Sequence, residues 1–367
     1  MLNYCTAGES HGKALVSLIE GVPVGVPVPE AAVADFLARR RRAGGRSTRM
    51  AVENDAFEII AGVRDGVSTG APIAIIVKNR DYRPTPEPLQ IPRPGHADLA
   101  GMFKYDTDNA RDIAERASAR ETAARCAAGA VAASMLKALG IEAFGHVVAI
   151  GTIRLAPRRL TLAQALHVRS RSQFYTVHPE RDDAIAREME RAAKKGDSLG
   201  GVFEVKIIGA PAGLGGCMRA ADRLDARLAA AMMSIPAVKG VEIGDGFALA
   251  SRRGSEAHDE IILKGGVIAR PTNRAGGIEG GMTNGAMIIV RAAVKPIPTL
   301  ANPLRSVDMR AMKPARAPVI RADVCAAPAA SVVGEAAAAF EIARAVTERF
   351  GGDTLPRIRA AMQRSFY

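Results

Sequence analysis

The sequence predicts an α+β protein in which alanine-rich helices are buried against antiparallel sheets. Its helical and strand-like segments follow one another irregularly, without the strand–helix–strand rhythm of a doubly wound sheet. The longest predicted helix is apolar on several faces, which is typical of a helix that lies between layers. Neither a G-x-G-x-x-G dinucleotide fingerprint nor a P-loop sequence occurs, so a standard nucleotide-binding fold is not predicted.

The composition narrows the class of protein. The chain has 367 residues, 48% hydrophobic and 24% charged, which is enough to bury a core in one or two domains. The four cysteines lie far apart without a C-x-x-C spacing, which argues against a disulfide framework or a zinc ribbon and fits a reducing compartment. The longest apolar run, residues 127–136, is shorter than the roughly 18 residues of a membrane span, and no secretory signal is visible. We therefore expect a soluble cytoplasmic protein without a metal site.

The N-terminal third contains three predicted strands and one helix. Residues 14–20 are densely apolar, as in a strand, and residues 30–42 carry apolar side chains at helical spacing. Residues 57–60 and 73–77 are predicted to pair as strands through a glycine-containing connection. Residues 79–94 contain five prolines and are predicted to form an irregular loop.

The clearest helix is predicted over residues 119–139. Ser118 and Glu121 have the spacing of a capping box, in which each side chain bonds a free backbone N–H group. Gly140 stands where a glycine commonly ends a helix.

The second half of the chain continues the mixture of elements. Residues 202–208, 261–268 and 287–294 have the apolar patterns of strands. Residues 222–233 and 331–350 have helical patterns.

The charge of the chain points to anionic ligands. Lysine and arginine number 50 against 38 acidic residues, a net charge of +12. Such an excess suits nucleic acid, an anionic membrane or small polyanions. The densest basic cluster, residues 39–49, holds six arginines but no aromatic side chain for stacking on bases. Phosphate-bearing small molecules are therefore favoured, and nucleic-acid binding through this cluster is the alternative.

Several polar clusters lie in loops or at helix ends. His11 lies within the glycine-flanked residues 8–12, and His96 and Asp98 form a candidate acid–base pair within residues 93–98. Arginines beside the helix start at Ser118 suit an anion site. Each cluster also has a plain structural explanation: a surface turn, a proline-rich loop or a helix cap.

A further cluster is rich in glycine. Residues 273–285 contain glycines that would let the backbone approach a planar or phosphorylated ligand closely, or form a long hairpin turn.

The ordered set of motifs resembles the chorismate synthase family. The resemblance covers nearly the whole chain and is carried by residues 8–12, 93–98, 118–122, 237–247 and 275–281. It implies one catalytic domain over residues 1–367, built as a β-α-β sandwich with helices between two antiparallel sheets and assembled as a homotetramer. It also implies the conversion of 5-enolpyruvylshikimate 3-phosphate to chorismate and phosphate, a 1,4-anti elimination that needs reduced FMN.

The resemblance also implies roles for individual residues. His11 would protonate the departing phosphate, His96 would donate a proton to reduced flavin, and Asp323 would work with flavin N5 in removing the C6 proton. The substrate anions would be held by Arg40, Arg46, Ser118, Arg120 and Arg321. The flavin site would be lined by Arg116, Ala117, Ser118, Ala237, Gly280, Lys295, Pro296, Ile297, Pro298, Thr299 and Arg321.

The chain departs from the family pattern at several of these places. Pro236 stands where an asparagine is common, Ala322 replaces a polar residue, and residues 115–117 and 295–299 differ from the commoner sequences. NADPH would enter only as a flavin reductant, and without a dinucleotide fingerprint an external flavin reductase is favoured. A family member that binds flavin but has lost turnover is a second alternative, against which the presence of His11, His96 and Asp323 speaks.

Overall fold

A computed structural model of the chain describes residues 1–45, 54–319 and 323–364. The strands are β1 (Asn3–Ala7), β2 (Ala14–Glu20), β3 (Phe57–Ala61), β4 (Val63–Arg64), β5 (Val67–Ser68), β6 (Ile73–Lys78), β7 (Glu142–Ile150), β8 (Ile153–Arg154), β9 (Gly201–Ile208), β10 (Val238–Ile243), β11 (Ile262–Lys264), β12 (Val267–Ala269), β13 (Ile278–Glu279), β14 (Met282–Thr283), β15 (Ile288–Val294), β16 (Arg305–Asp308) and β17 (Lys313–Arg316). The helices are α1 (Glu30–Arg42), α2 (Asp98–Tyr105), α3 (Arg111–Arg116), α4 (Thr122–Ala138), α5 (Leu162–Ser170), α6 (Asp182–Lys194), α7 (Leu224–Met233), α8 (Gly254–Ala257), α9 (Ala327–Phe350) and α10 (Leu355–Arg364). This mixture confirms the predicted α+β class.

One antiparallel sheet has the strand order β1-β2-β6-β3. Its inner face follows from the period-two alternation of its strands: Leu15 and Ile19 on β2, and Ile73, Ile75 and Val77 on β6, are fully buried. Helix α4 packs against β2 and β6.

The second antiparallel sheet has the order β10-β15-β9-β7-β8. Val205 and Ile207 on β9 lie opposite Val290 and Ile288 on β15, and all four are fully buried. Helix α9 packs against β7 and β9.

Helices α4 and α9 pack closely because their contact residues are small. A Cβ atom on Gly129 of α4 would overlap Ala336 of α9. On another face of α9, a Cβ atom on Gly334 would overlap the ring of Phe203 on β9. Ser17 of β2 donates its hydroxyl to the carbonyl of Ala124 at 2.6 Å, which ties the first sheet to α4.

Several predicted elements are confirmed. Strand β2 and helix α1 have the predicted bounds, and β3 and β6 pair antiparallel around a short β4–β5 hairpin. Residues 79–94 contain neither helix nor strand, as predicted for the proline-rich loop. Gly140 adopts a φ of 78° just after α4.

The prediction of one strand over residues 261–268 is wrong. Strands β11 and β12 pair across Gly265 and Gly266, whose φ angles of 59° and 81° form a tight turn. Leu263 and Val267 are about three-quarters and two-thirds exposed, at 74% and 68%, so the apolar pattern does not mark a core strand.

The capping box predicted at Ser118 is also wrong in its second half. Ser118 begins a 3-10 turn, Ala119–Glu121, and accepts the N–H of Arg120 at 3.2 Å. Glu121 does not bond back to Ser118, because its carboxylate accepts the hydroxyl of Thr6 at 2.9 Å and the guanidinium of Arg125 at 2.9 Å.

Two other helix starts differ from prediction. Helix α7 begins at Leu224, after a 3-10 turn at Ala220–Asp222, and α9 begins at Ala327 with a proline in its first turn, where proline is tolerated. None of the helices in residues 1–45, 54–319 and 323–364 is long and apolar enough to cross a bilayer.

Candidate active site

A cavity of about 1230 Å³ opens where the His11 loop, residues 93–97, α3 and the start of α9 come together. Its described lining is strongly cationic, with eight arginine or lysine side chains against four carboxylates. The cationic residues are Arg40, Arg83, Arg93, Arg111, Arg116, Arg120, Arg125 and Lys295. The carboxylates are Asp81, Glu115, Glu121 and Asp323. A cavity larger than a common single-ligand pocket, with this charge, suits polyanionic ligands.

His11 is held between two carboxylates. Its Nδ1 lies 2.9 Å from both oxygens of Glu115, and its Nε2 lies 3.5 Å from Oδ2 of Asp81. Asp81 is in turn bound by Arg83 at 2.9 Å. His11 therefore has a carboxylate beside each of its two ring nitrogens.

His96 is oriented by a buried carboxylate, and its predicted pairing with Asp98 is confirmed as a contact. Nδ1 of His96 lies 2.5 Å from Oδ1 of Asp98, whose side chain is fully buried. Arg93 binds both oxygens of Asp98, at 2.7 and 2.9 Å. Burial alone would raise the pKa of Asp98, but the hydrogen bonds from His96 and Arg93 hold that pKa well below its ordinary value.

Arg40 and Arg120 share one carboxylate. Arg40 donates from Nη2 to Asp55 at 3.1 Å, and Arg120 donates to the other oxygen of Asp55. Burial opposes ionisation of Asp55, but the charges of both arginines lower its pKa below the ordinary value. In the part of the chain that the structure describes, two guanidinium groups meet one carboxylate, which makes these three side chains together positively charged.

Asn79 links this arginine pair to the His11 loop. Its side-chain oxygen accepts Nε of Arg120 at 2.8 Å, and its side-chain nitrogen donates to the carbonyls of Glu9 and Gly12 at 3.1 and 2.9 Å. The hydroxyl of Ser118 donates to that of Ser10 at 3.1 Å, next to His11. Three of the predicted substrate-binding residues, Arg40, Ser118 and Arg120, are thus in one hydrogen-bonded frame with His11.

Several of the predicted flavin residues line the same cavity, on two of its sides. Arg116, Ala117 and Ser118 line it after α3, and Arg116 is anchored to the hydroxyl of Thr6 at 3.1 Å. Lys295 lines it from beyond β15 and donates through Nζ to the carbonyl of Gly95.

Other predicted flavin residues line the cavity on the same side as Lys295. Ile297, Pro298 and Thr299 follow Lys295 in the cavity wall, as does Ala237. Ala237 has a φ of 71°, an uncommon angle for a residue with a side chain, directly after Pro236.

Asp323 lines the cavity four residues before the first residue of α9. The following Val324 accepts from the N–H of Leu199 at 2.8 Å and donates to the carbonyl of Gly45 at the same distance. These backbone bonds fix the position of Asp323 near the start of α9.

Not every predicted residue belongs to this lining. Gly280 lies in the β13–β14 turn, and the glycine-rich segment around it forms the hairpin that was its structural alternative. Pro296 lies beside Gly200 rather than in the cavity wall. The predicted site residues Arg46 and Arg321, together with Ala322, lie outside the described residues.

Three residues of the site were missed by the sequence reasoning. Asp55, Asn79 and the role of Glu115 have no local motif, since Asp55 and Asn79 contact Arg120, 65 and 41 positions away, and Glu115 contacts His11, 104 positions away. Glu115 was noted only as a departure from a family pattern. The basic cluster is divided by the fold, because Arg39 binds Glu335 at 2.8 Å while Arg40 lies at the site.

Known proteins resemble the chain along its whole length. The sequence model of the chorismate synthase family matches residues 2–347. Chorismate synthase of Moorella thermoacetica is 51% identical over 98% of this chain and 97% of its own, and that of Desulforudis audaxviator is 48% identical over 98% and 95%. A crystal structure of chorismate synthase superimposes with a TM-score of 0.81 at 38% identity, covering 99% of this chain and 96% of the other. On these matches and on the fold and site geometry, the chain belongs to the chorismate synthase family.

Proposed function

We propose that this chain is a carbon–oxygen lyase that converts 5-enolpyruvylshikimate 3-phosphate to chorismate and phosphate by 1,4-anti elimination, the last step of the shikimate pathway. The observation that carries the proposal is the pairing of His11 and His96 with separate carboxylates on the wall of one cationic cavity. Family membership supports the same reaction.

The substrate has one phosphate and two carboxylates, and the cationic lining matches that charge. Arg40 and Arg120, fixed by Asp55, supply a positive centre that is rigid before the substrate arrives. Ser118, beside them, offers a hydroxyl. The guanidinium groups would bind oxygen atoms through charge-assisted hydrogen bonds.

The acid–base roles follow from the surroundings of each group. His11, next to two carboxylates, would pass a proton to the phosphate oxygen as the carbon–oxygen bond breaks. His96, held through Nδ1 by Asp98, would exchange a proton through Nε2. Asp323 would assist removal of the substrate C6 proton, as the family resemblance implies.

Reduced FMN is the cofactor of the proposal, and the cavity residues fit it. Arg116 and Lys295 provide cations for its phosphate, and Ile235, Ile297 and Ala330 provide apolar surface for a ring. When bound, it supplies electron density that assists the departure of phosphate. Gly280, Pro296, Arg46 and Arg321 are proposed flavin or substrate residues on the family resemblance alone.

The proposal extends to architecture and cellular context. We infer a single catalytic domain over residues 1–367, with α4 and α9 as the helix layer of a β-α-β sandwich. Helix α4 packs on the first antiparallel sheet, α9 packs on the second, and the two helices pack on one another. We also infer a homotetramer in the cytoplasm whose flavin is reduced by an external reductase. Direct reduction of the flavin by NADPH on this protein is the alternative.

An anaerobic assay tests the function. Purified protein is mixed with 5-enolpyruvylshikimate 3-phosphate and chemically reduced FMN, and chorismate absorbance and phosphate release are followed together. The proposal expects both to rise in equal amounts. A repeat with oxidised FMN and NADPH distinguishes the two sources of electrons.

The alternatives give different results in the same assay. FMN binding without either product would identify a member that has lost turnover. Absence of FMN binding, together with salt-dependent binding of DNA or RNA, would favour the nucleic-acid alternative.

A further inference from the structure

Glu115, on α3, contacts the His11 loop through three oxygen atoms: both carboxylate oxygens and its backbone carbonyl oxygen. Both carboxylate oxygens lie 2.9 Å from Nδ1 of His11, and Oε2 also accepts the His11 backbone N–H at 2.8 Å. The backbone carbonyl of Glu115 accepts the N–H of Ser10 at 3.1 Å. One buried residue therefore fixes both the main chain and the ring at this point.

The carboxyl of Glu115 is ionised in this setting. Burial alone would raise its pKa, but the hydrogen bonds from His11 and the charge of Arg111, 3.6 Å away, hold the pKa below its ordinary value. An ionised carboxylate only accepts hydrogen bonds, so the Nδ1 atom of His11 must carry a hydrogen.

That hydrogen restricts what the ring can do. In a neutral imidazole with hydrogen on Nδ1, the Nε2 atom has no proton to give. Donation from Nε2 therefore requires the doubly protonated ring, which a neighbouring anion stabilises. Among the described residues, the charged groups around His11 include Glu115 and Arg111 from α3, and Asp81 and Arg83 from the loop after β6.

We propose that Glu115 is the positioning residue of His11: it holds the ring through Nδ1 and places a carboxylate beside it, so that Nε2 delivers the proton. As the carbon–oxygen bond breaks, the proton moves from Nε2 to the phosphate oxygen, and His11 is left neutral with hydrogen on Nδ1. This inference rests on the proposed function, because it names the residue that prepares the acid of that reaction.

The first test compares pH profiles of kcat with saturating substrate and reduced FMN. In Glu115→Gln, kcat should fall by about tenfold or more, and its alkaline limb should move about one pH unit toward lower pH, because the stabilising anion is gone. KM should change little, since Glu115 acts through His11. Glu115→Asp keeps the charge and should keep the alkaline limb near that of the parent protein.

Asp112→Asn is the matched control. It removes one negative charge from an exposed position of the same helix and should leave the profile unchanged. An alkaline limb that stays in place in Glu115→Gln, whatever happens to kcat, would overturn the proposal, and so would an equal displacement in Glu115→Asp.

The second test needs no turnover and no variant of Glu115. Protein with 15N-labelled histidine is titrated without substrate, and the His11 signals are assigned by their loss in His11→Gln. Nδ1 of His11 should stay in the protonated range throughout, while Nε2 changes. A neutral ring with its hydrogen on Nε2 would overturn the proposal. If the labelled ring behaves as expected but no chorismate forms, the proposed function fails while the pairing with Glu115 stands.

Discussion

The Nδ1 atom of His96 lies 2.5 Å from Oδ1 of Asp98, a carboxylate with no exposed surface. Because Arg93 binds the same carboxylate with two nitrogens, the aspartate cannot turn away from the histidine. The ring of His96 is therefore fixed in one orientation, and Nε2 is the nitrogen that we propose exchanges a proton.

Replacing His96 should remove a proton carrier without removing the cavity. We expect His96→Ala to lower kcat by about 10²- to 10⁴-fold, the usual contribution of acid–base catalysis. Steady-state assays with reduced FMN measure this change. His167→Ala, at an exposed position of α5, is the control and should behave as the parent protein. A normal kcat in His96→Ala would remove the residue from the mechanism.

Truncation of Arg120 should weaken substrate binding more than turnover. Loss of a hydrogen bond to a charged group costs about 1.5–3 kcal/mol, so KM should rise about 10- to 100-fold in Arg120→Ala. Asp55 keeps Arg40 as its partner in this variant, which protects the fold. Arg187→Ala on the exposed side of α6 serves as the control. An unaltered KM would show that Arg120 does not bind the substrate.

His146 should make the fold sensitive to mild acid. Burial lowers the pKa of His146 to about 4, and its Nδ1 has no hydrogen-bond partner among the described residues. The unfolded chain takes up this proton below the ordinary pKa of 6.5, whereas the native protein resists it until about pH 4. Stability is thus fully present above pH 6.5 and decreases as the pH falls toward 4.

Denaturant unfolding across that pH range tests the assignment. His146→Phe should flatten the dependence of unfolding free energy on pH, since the buried ring no longer titrates. His167→Phe changes an exposed histidine and should keep the parent slope. Equal slopes in the two variants would contradict a buried neutral His146.

The contact between α4 and α9 leaves no room for an additional methyl group. A Cβ at Gly129 would overlap Ala336, so Gly129→Ala should lower the free energy of unfolding by about 1–3 kcal/mol. This loss outweighs the gain of about 1 kcal/mol in helix propensity. Gly254→Ala meets no atom closer than 3.9 Å and should be near neutral by the same urea titration. A stabilised Gly129→Ala would mean that the helices can move apart freely.

The sequence predicted the parts of the fold that depend on local pattern. The apolar alternation of residues 14–20 and the alanine-rich residues 119–139 correspond to β2 and to a turn followed by α4. Strand β7 was missed because Gly145 and His146 interrupt its apolar pattern. The turn at Gly265 was visible as a two-glycine signal but was outweighed by the apolar residues around it.

The site was predictable only where its residues form motifs. His11 and His96 lie in short glycine-flanked sequences, and the structure brings both to one cavity. Asp55 and Asn79 have no such signal, since the fold alone brings them to Arg120. Their contribution depends on sheet pairing over long separations, which a single sequence does not encode locally.

The first turn of α9 and the residue before it form an alanine wall of the cavity, made of Ala326, Ala329 and Ala330, while Val333 lines the cavity one turn further along. An alanine side chain has no rotamers, so this wall cannot swing inward when the cavity is empty or outward when a ligand enters. The shape of that surface is set by the backbone of a helix that is itself clamped by its neighbours. Selection among ligands at this wall then works by steric exclusion. A single larger side chain there would occupy the space that a ligand needs and would not adapt to the ligand.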